Sequence, residues 1–180
     1  MRNFLYVDNS NVWIEGMHVA AVKNGLAPDL QTALNKNICD HSYKVDFGRL
    51  FQFAGGKKID VGRAVLFGSR PPPNDSLWAA AAAQGFEIVV FDRNIKGKEK
   101  KIDTSIVTEM VTDSFRLMDA KKDEITLVAG DGDYVPAIDS LRSRGFAFHV
   151  VFWGHASGEL KAAATKFINL NSYFDHLRLK

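Results

Sequence analysis

The chain of 180 residues carries 23 Lys+Arg against 21 Asp+Glu, a formal charge of +2, with 46% hydrophobic and 24% charged residues. That balance fits one ordinary globular α/β domain over residues 1–180 and removes bulk basicity as an argument for nucleic-acid binding. The lone cysteine, Cys39, excludes a disulfide framework and a cysteine-rich zinc site, and it is read as an inert thiol. No apolar run approaches the about 20 residues of a membrane helix. The short apolar stretch before Asp8 does not suit a signal peptide, so a cytoplasmic protein without membrane contact is expected.

In chain order, buried strands are predicted at Phe4–Val7, Ala64–Phe67, Glu87–Phe91, Ile125–Ala129 and Ala147–Trp153, where continuous apolar runs are bounded by turn residues. Helices are predicted at Val12–Asn24, Asp46–Ala54, Asp75–Gln84, Thr104–Ala120, Tyr134–Arg144 and Glu159–Ala164, with Gly85 and Gly145 as stops. Strand followed by helix, repeated, is the βαβ pattern of a mostly parallel sheet with helices on both faces. Two segments interrupt it. Residues 25–45 are polar and weakly periodic and are read as an insertion holding a short helix at Leu30–Asn37, and Gly68–Asn74 reads as a rigid polyproline turn.

Parallel sheets bind ligands beyond the carboxyl ends of their strands. The first predicted strand ends in Val7-Asp8-Asn9-Ser10-Asn11, and the fourth ends in Gly130-Asp131-Gly132-Asp133-Tyr134. Asp103 opens the long helix. Each carboxylate is also explained by helix capping or turn chemistry. Topology joins them: in the doubly wound order 3-2-1-4-5, strands 1 and 4 are neighbours at the reversal point, which sets Asp8 beside Asp131 and Asp133. Crowded carboxylates raise one another's pKa, and a hard divalent cation relieves the repulsion. With no His/Cys ligand spacing among His18, His41, His149, His155 and His176, the donor set points to Mg²⁺ or Mn²⁺ rather than zinc.

These residues resemble the NYN domain, the LabA-like branch of the PIN-like ribonucleases. The matching elements are FLYVDNSN, with Asp8 and Asn11 as the family's D-x-x-N; KKIDTSIVTEMVTD, with Asp103; and LVAGDGDYVPAIDSLRSRGFAFHVV, with Asp131 and Asp133. The resemblance implies a Rossmann-like PIN/NYN fold and a metal-dependent endoribonuclease. Asp8, Asp103, Asp131 and Asp133 would lie around the metal, Asn11 would orient Asp8 or a substrate phosphate, and the products would carry 5′-phosphate ends. One departure is Ala164-Thr165, where many relatives have Ala-Asp before the last strand.

Candidate contacts to an RNA backbone are Ser69 and Arg70 after the second strand, and Lys96, Lys98, Lys100 and Lys101 in the basic run before Asp103. A solvated loop explains both groups at least as well, and a charge run is more often such a loop. Trp13, Trp78, Trp153 and Tyr134 are assigned to core packing in preference to base stacking. Two other functions stay open: a non-catalytic RNA-binding or regulatory module, and another metal-dependent phosphate-handling enzyme. Phosphatases with a nucleophilic Asp-x-Asp after the first strand are disfavoured, because Ser10 stands at the second position. Homo-oligomerisation is open.

Overall fold

The computed structural model describes residues 1–70, 76–92 and 98–180, without the side chains of Arg70, Asp92, Lys98, Glu99 and Lys100. Its strands are β1 (Arg2–Asp8), β2 (Val61–Arg70), β3 (Glu87–Asp92), β4 (Asp123–Val128), β5 (Ala147–Phe152) and β6 (Lys166–Asn169). They form one sheet in the order β3-β2-β1-β4-β5-β6, parallel throughout. The predicted order 3-2-1-4-5 is therefore present and is extended by an edge strand, β6, that the apolar pattern does not reveal. The helices are α1 (Asn9–Lys23), α2 (Leu30–Asn35), α3 (Phe47–Leu50), α4 (Ser76–Gln84), α5 (Lys98–Arg116), α6 (Val135–Ser143), α7 (Gly158–Ala163) and α8 (Phe174–Leu177).

Period-two alternation along the central strands divides the core between the two faces of the sheet. Leu5 and Val7 join Val12, Val19, Leu50, Phe51 and Trp78 on one face. Phe4 and Tyr6 join Ile106 and Met110 of α5 and Ile138 and Leu141 of α6 on the other. β1 lies in the middle of the sheet, covered on both sides, which is why it reads as an unbroken apolar run that stops at Asp8.

Two predicted helices differ from the structure. The helix expected at Asp46–Ala54 is a single turn, α3, continued as a π turn over Phe51–Gly55. The segment read as an insertion carries α2 where the short helix was expected, and it is tied to the rest of the fold. Asp29 caps α2 through Thr32 N–H, Tyr43 is buried and stacks on Phe174 at 4.5 Å between ring centres, and Val45 bridges to Arg178. The long helix starts at Lys98 instead of Thr104, so Asp103 lies inside α5 and is not its cap. The run Pro71–Asp75, and with it most of the predicted polyproline turn, lies outside the described residues.

One ion-pair network holds the α5 face against the sheet. Arg63 of β2 donates to Glu87 Oε2 (2.7 and 3.0 Å), to Glu109 Oε2 (2.7 Å) and to Asp113 Oδ2 (2.6 Å), and Tyr6 Oη also donates to Asp113 Oδ2 (2.6 Å). Hydrogen bonding to Glu87 leads the causes that raise the Arg63 pKa, so the guanidinium stays charged. Asp113 is buried and depends on it. Arg63→Met should lower the unfolding free energy by about 3 kcal/mol in urea titrations at pH 7, because the Asp113 carboxylate is left without its cation. A loss below about 1 kcal/mol would show that the network is exposed enough for water to replace the guanidinium.

Candidate metal centre

The reversal of strand order falls between β1 and β4, which run parallel in register from Arg2↔Asp123 to Val7↔Val128. The chain leaves both strands at the same edge. There a cleft of about 330 Å³ is lined by Asp8, Ser10, Asn11, Ile14, Glu15, Ile102, Asp103, Asp131 and Asp133. None of these is a cation.

Each side chain is placed by local backbone chemistry. Asp8 caps α1, its Oδ1 accepting from Asn11 N–H at 3.0 Å, so capping and a cleft position coincide in one residue. Asn11 turns its side-chain oxygen onto Gly130 N–H (2.9 Å), while Gly130 C=O accepts from Ser157 N–H (2.9 Å). The loop after β4 is thus tied to α1 on one side and to the approach to α7 on the other. At Gly130 a Cβ would run into the ring of Phe152, so only glycine allows the chain to turn there. Asp131 Oδ1 accepts from Asp133 N–H (3.1 Å) and caps the 3₁₀ turn Gly132–Tyr134. Asp131, rather than Asp133, is the capping residue, and Asp133 is left exposed.

One carboxylate oxygen from each of Asp103, Asp131 and Asp133 lies within 4.8 Å of the others. Asp8 lines the same cleft but falls outside that group and is buried. Its pKa is pushed up to about 6, first by burial and then by Asp103 and Asp131, against the hydrogen bonds from Asn11 and Tyr134 that favour the charged form. Tyr134 is fully buried, and its hydroxyl donates to Asp103 Oδ1 at 2.8 Å and faces Asp8 Oδ2 at 3.4 Å. Burial, then the charges of Asp8 and Asp103, holds this phenol neutral far above its usual range.

The donor set suits a hard cation. Three carboxylates converge with no imidazole or thiolate among them, the oxygen-rich environment of Mg²⁺ or Mn²⁺ rather than of zinc.

The other sequence candidates fall elsewhere or outside the described structure. Ser69 is half-buried at the end of β2, beside Phe91 of β3, and does not line the cleft. Arg70 ends β2, with its side chain outside the described set, and Lys96 lies wholly outside it. Lys98, Lys100 and Lys101 belong to the first turn of α5 rather than to a loop, and exposed Lys101 borders a shallow depression with Phe91 and Thr104. Asn11 engages Gly130 through its side-chain oxygen, so its contact with Asp8 is through the backbone N–H. The Thr165 departure is remote from the cleft: Thr165 Oγ1 accepts from Phe148 N–H at the amino end of β5.

Sequence reasoning missed Glu15, Ile14 and the Tyr134 hydroxyl. Glu15 is detectable: positions 8, 11 and 15 share one helical face, and the structure adds a 2.6 Å contact from Glu15 Oε2 to His155 Nε2. Trp13 and Trp153 donate their indole N–H groups to Tyr43 C=O and Val12 C=O, which fits packing rather than stacking on a base.

The NYN domain family matches residues 29–171, most of the chain, including Asp103, Asp131 and Asp133; Asp8 and Asn11 precede the matched span. The chain belongs to the NYN domain family, whose members share the PIN-like nuclease fold. A crystal structure of a protein of unknown function from Vibrio parahaemolyticus RIMD 2210633 is similar in fold, with a TM-score of 0.69 at 16% identity over 99% of this chain and 96% of that one. Comparison with curated proteins gives no match. Among the described residues, no helix is long and apolar enough to cross a membrane.

Asp8 supplies a pH test of the cleft. Its carboxyl pKa is about 6 in the folded metal-free protein, against an ordinary value near 3.8. Below both values it is neutral in either state and costs nothing; between them the unfolded state ionises while the folded one keeps its proton, so stability falls as pH rises and the loss is complete above about 6. Asp8→Asn keeps a capping side chain and removes the charge. In EDTA at pH 7.5 it should be more stable than wild type by on the order of 2 kcal/mol, with the difference falling below about 1 kcal/mol near pH 4 in urea unfolding. A variant less stable at both pH values would mean that the cap outweighs the charge.

Proposed function

We propose that this protein is a metal-dependent endoribonuclease, hydrolysing RNA phosphodiester bonds at the carboxyl edge between β1 and β4. The observation that carries the reading is the convergence of the Asp103, Asp131 and Asp133 oxygens within 4.8 Å, at the reversal point of a PIN-like fold. Family membership supports it, since NYN domains are generally nucleases acting on RNA. When bound, Mg²⁺ or Mn²⁺ would lower the pKa of a coordinated water and offset charge on the phosphate oxygens.

The chain's own residues divide the remaining work. Asp103, Asp131 and Asp133 hold the cation. Asp8, buried behind them, adds negative charge that strengthens cation binding without being one of the converging ligands. Asn11 fixes the loop that carries Asp131 by holding Gly130 N–H. Ile14 offers the cleft an apolar wall against which a sugar or base can lie. An acidic cleft repels a polyanion, so cations outside it must draw the strand in. Lys96, Lys98, Lys100 and Lys101, with Ser69 and Arg70, are assigned that role on sequence grounds, since the described residues of the cleft wall include no cation.

Incubation of labelled RNA, single-stranded and structured, with Mg²⁺, Mn²⁺ or EDTA tests the reading. Cleavage should need the metal, leave 5′-phosphate and 3′-hydroxyl ends, and fall by at least about a hundredfold in Asp131→Asn. Cleavage that persists in EDTA with 2′,3′-cyclic phosphate ends would contradict it. Binding is separable: replacing the four lysines by alanine should weaken RNA binding and flatten its dependence on salt, by nearly one unit of logarithmic slope per lost duplex phosphate contact. Unchanged binding across several salt concentrations would remove the basic run from the RNA path.

A further inference from the structure

Tyr134 sits where only packing was expected. Its ring belongs to the core layer formed with Ile102 and Ile106 of α5, a position that phenylalanine would fill equally well. A hydroxyl added there must find a partner or incur the cost of a buried unsatisfied donor. It finds two, both in the cleft: Asp103 Oδ1 at 2.8 Å and Asp8 Oδ2 at 3.4 Å. Those carboxylates come from α5 and from the end of β1, while Tyr134 comes directly after Asp131 and Asp133. One side chain therefore joins the three segments that supply Asp8, Asp103 and the Asp131 and Asp133 pair.

We infer that Tyr134 is a positioning residue of the metal centre, its buried hydroxyl bracing the Asp103 carboxylate for cation binding while separating it from Asp8. The inference rests on the metal-dependent reading above and adds a residue to it. A phenol has one proton to give, and the shorter contact assigns it to Asp103. Asp8 is already held through Oδ1 by Asn11 N–H and does not need the phenol for its orientation. Asp103 lies within α5, and the buried phenol gives its carboxylate a fixed point of contact on the core side. Without the hydroxyl, repulsion from Asp8 would act on a less firmly braced side chain. Groups that orient metal ligands in this way typically matter by ten- to a hundredfold in affinity.

The molecule supplies a matched control. Tyr6 is also fully buried and also donates to an aspartate, Asp113 at 2.6 Å, but that pair belongs to the Arg63 network and lines no part of the cleft. Mn²⁺ titration calorimetry of wild type, Tyr134→Phe and Tyr6→Phe, with urea unfolding of each in EDTA, separates positioning from support. Tyr134→Phe should bind Mn²⁺ at least about tenfold more weakly, while Tyr6→Phe stays within about twofold although it loses stability. Tyr134→Phe binding within about twofold of a wild type that does bind Mn²⁺ would overturn the positioning role and leave the metal site standing. A wild type that binds no Mn²⁺ would overturn both. If Tyr134→Phe does not fold, 3-fluorotyrosine incorporated at Tyr134 gives the answer in an otherwise native chain. Mg²⁺ should shift its ¹⁹F resonance and not that of the same label at Tyr6, and an unshifted signal at Tyr134 would overturn the role.

Discussion

The parallel pairing of β1 with β4 is the constraint on which the rest of the site depends. It brings together two strands separated by most of the chain and ends them at one edge, so the turns after Val7 and after Val128 must share a small volume. Every consequence is local. Asp8 caps the helix that leaves β1, Asn11 reaches across to Gly130 N–H, and the glycine lets the second turn pass under Phe152. α5, packed across the same sheet face through Ile102, Ile106 and Met110, carries Asp103 into the remaining side of the cleft.

This arrangement gathers like charge at a cost. Asp8 bears it most, buried beside Asp103 and Asp131 with its pKa raised to about 6. Two buried acids elsewhere in the molecule are neutralised directly. Asp113 has Arg63, and Asp123, almost wholly buried, receives both Nε and Nη2 of Arg2 as well as Asp119 N–H, which holds its carboxyl below the ordinary range. In the cleft the donors are neutral instead: the Asn11 N–H serves Asp8, the Tyr134 hydroxyl serves Asp103 and the Asp133 N–H serves Asp131. A neutral donor orients a carboxylate without cancelling its charge, so the cleft keeps a field that a bound cation would offset.

The strands that form the sheet's interior are readable because they are covered on both faces and so appear as unbroken apolar runs. β6 is not: Lys166-Phe167-Ile168-Asn169 is a short, half-exposed edge with polar ends. The start of α5 is displaced for a related reason. Lys98-Glu99-Lys100-Lys101 has the composition of a solvated loop, yet nothing in it opposes a helix, and the apolar stripe that defines the helix begins only at Ile102. The positions of Asp8, Asp131 and Asp133 are legible because topology fixes where the residues just past a strand's end must lie. Glu15 could be found from helical spacing, whereas the Tyr134 contribution depends on side-chain direction, which a linear pattern does not carry.

The central claim is that Asp103, Asp131 and Asp133 together hold a divalent cation. Anomalous diffraction at the manganese edge from crystals grown with Mn²⁺ tests it most directly. The account predicts a peak in the cleft with an oxygen of each of the three carboxylates within about 2.5 Å, or bridged to it by one water. A cleft without a peak at saturating Mn²⁺, or manganese bound only at other surface acids, would contradict it.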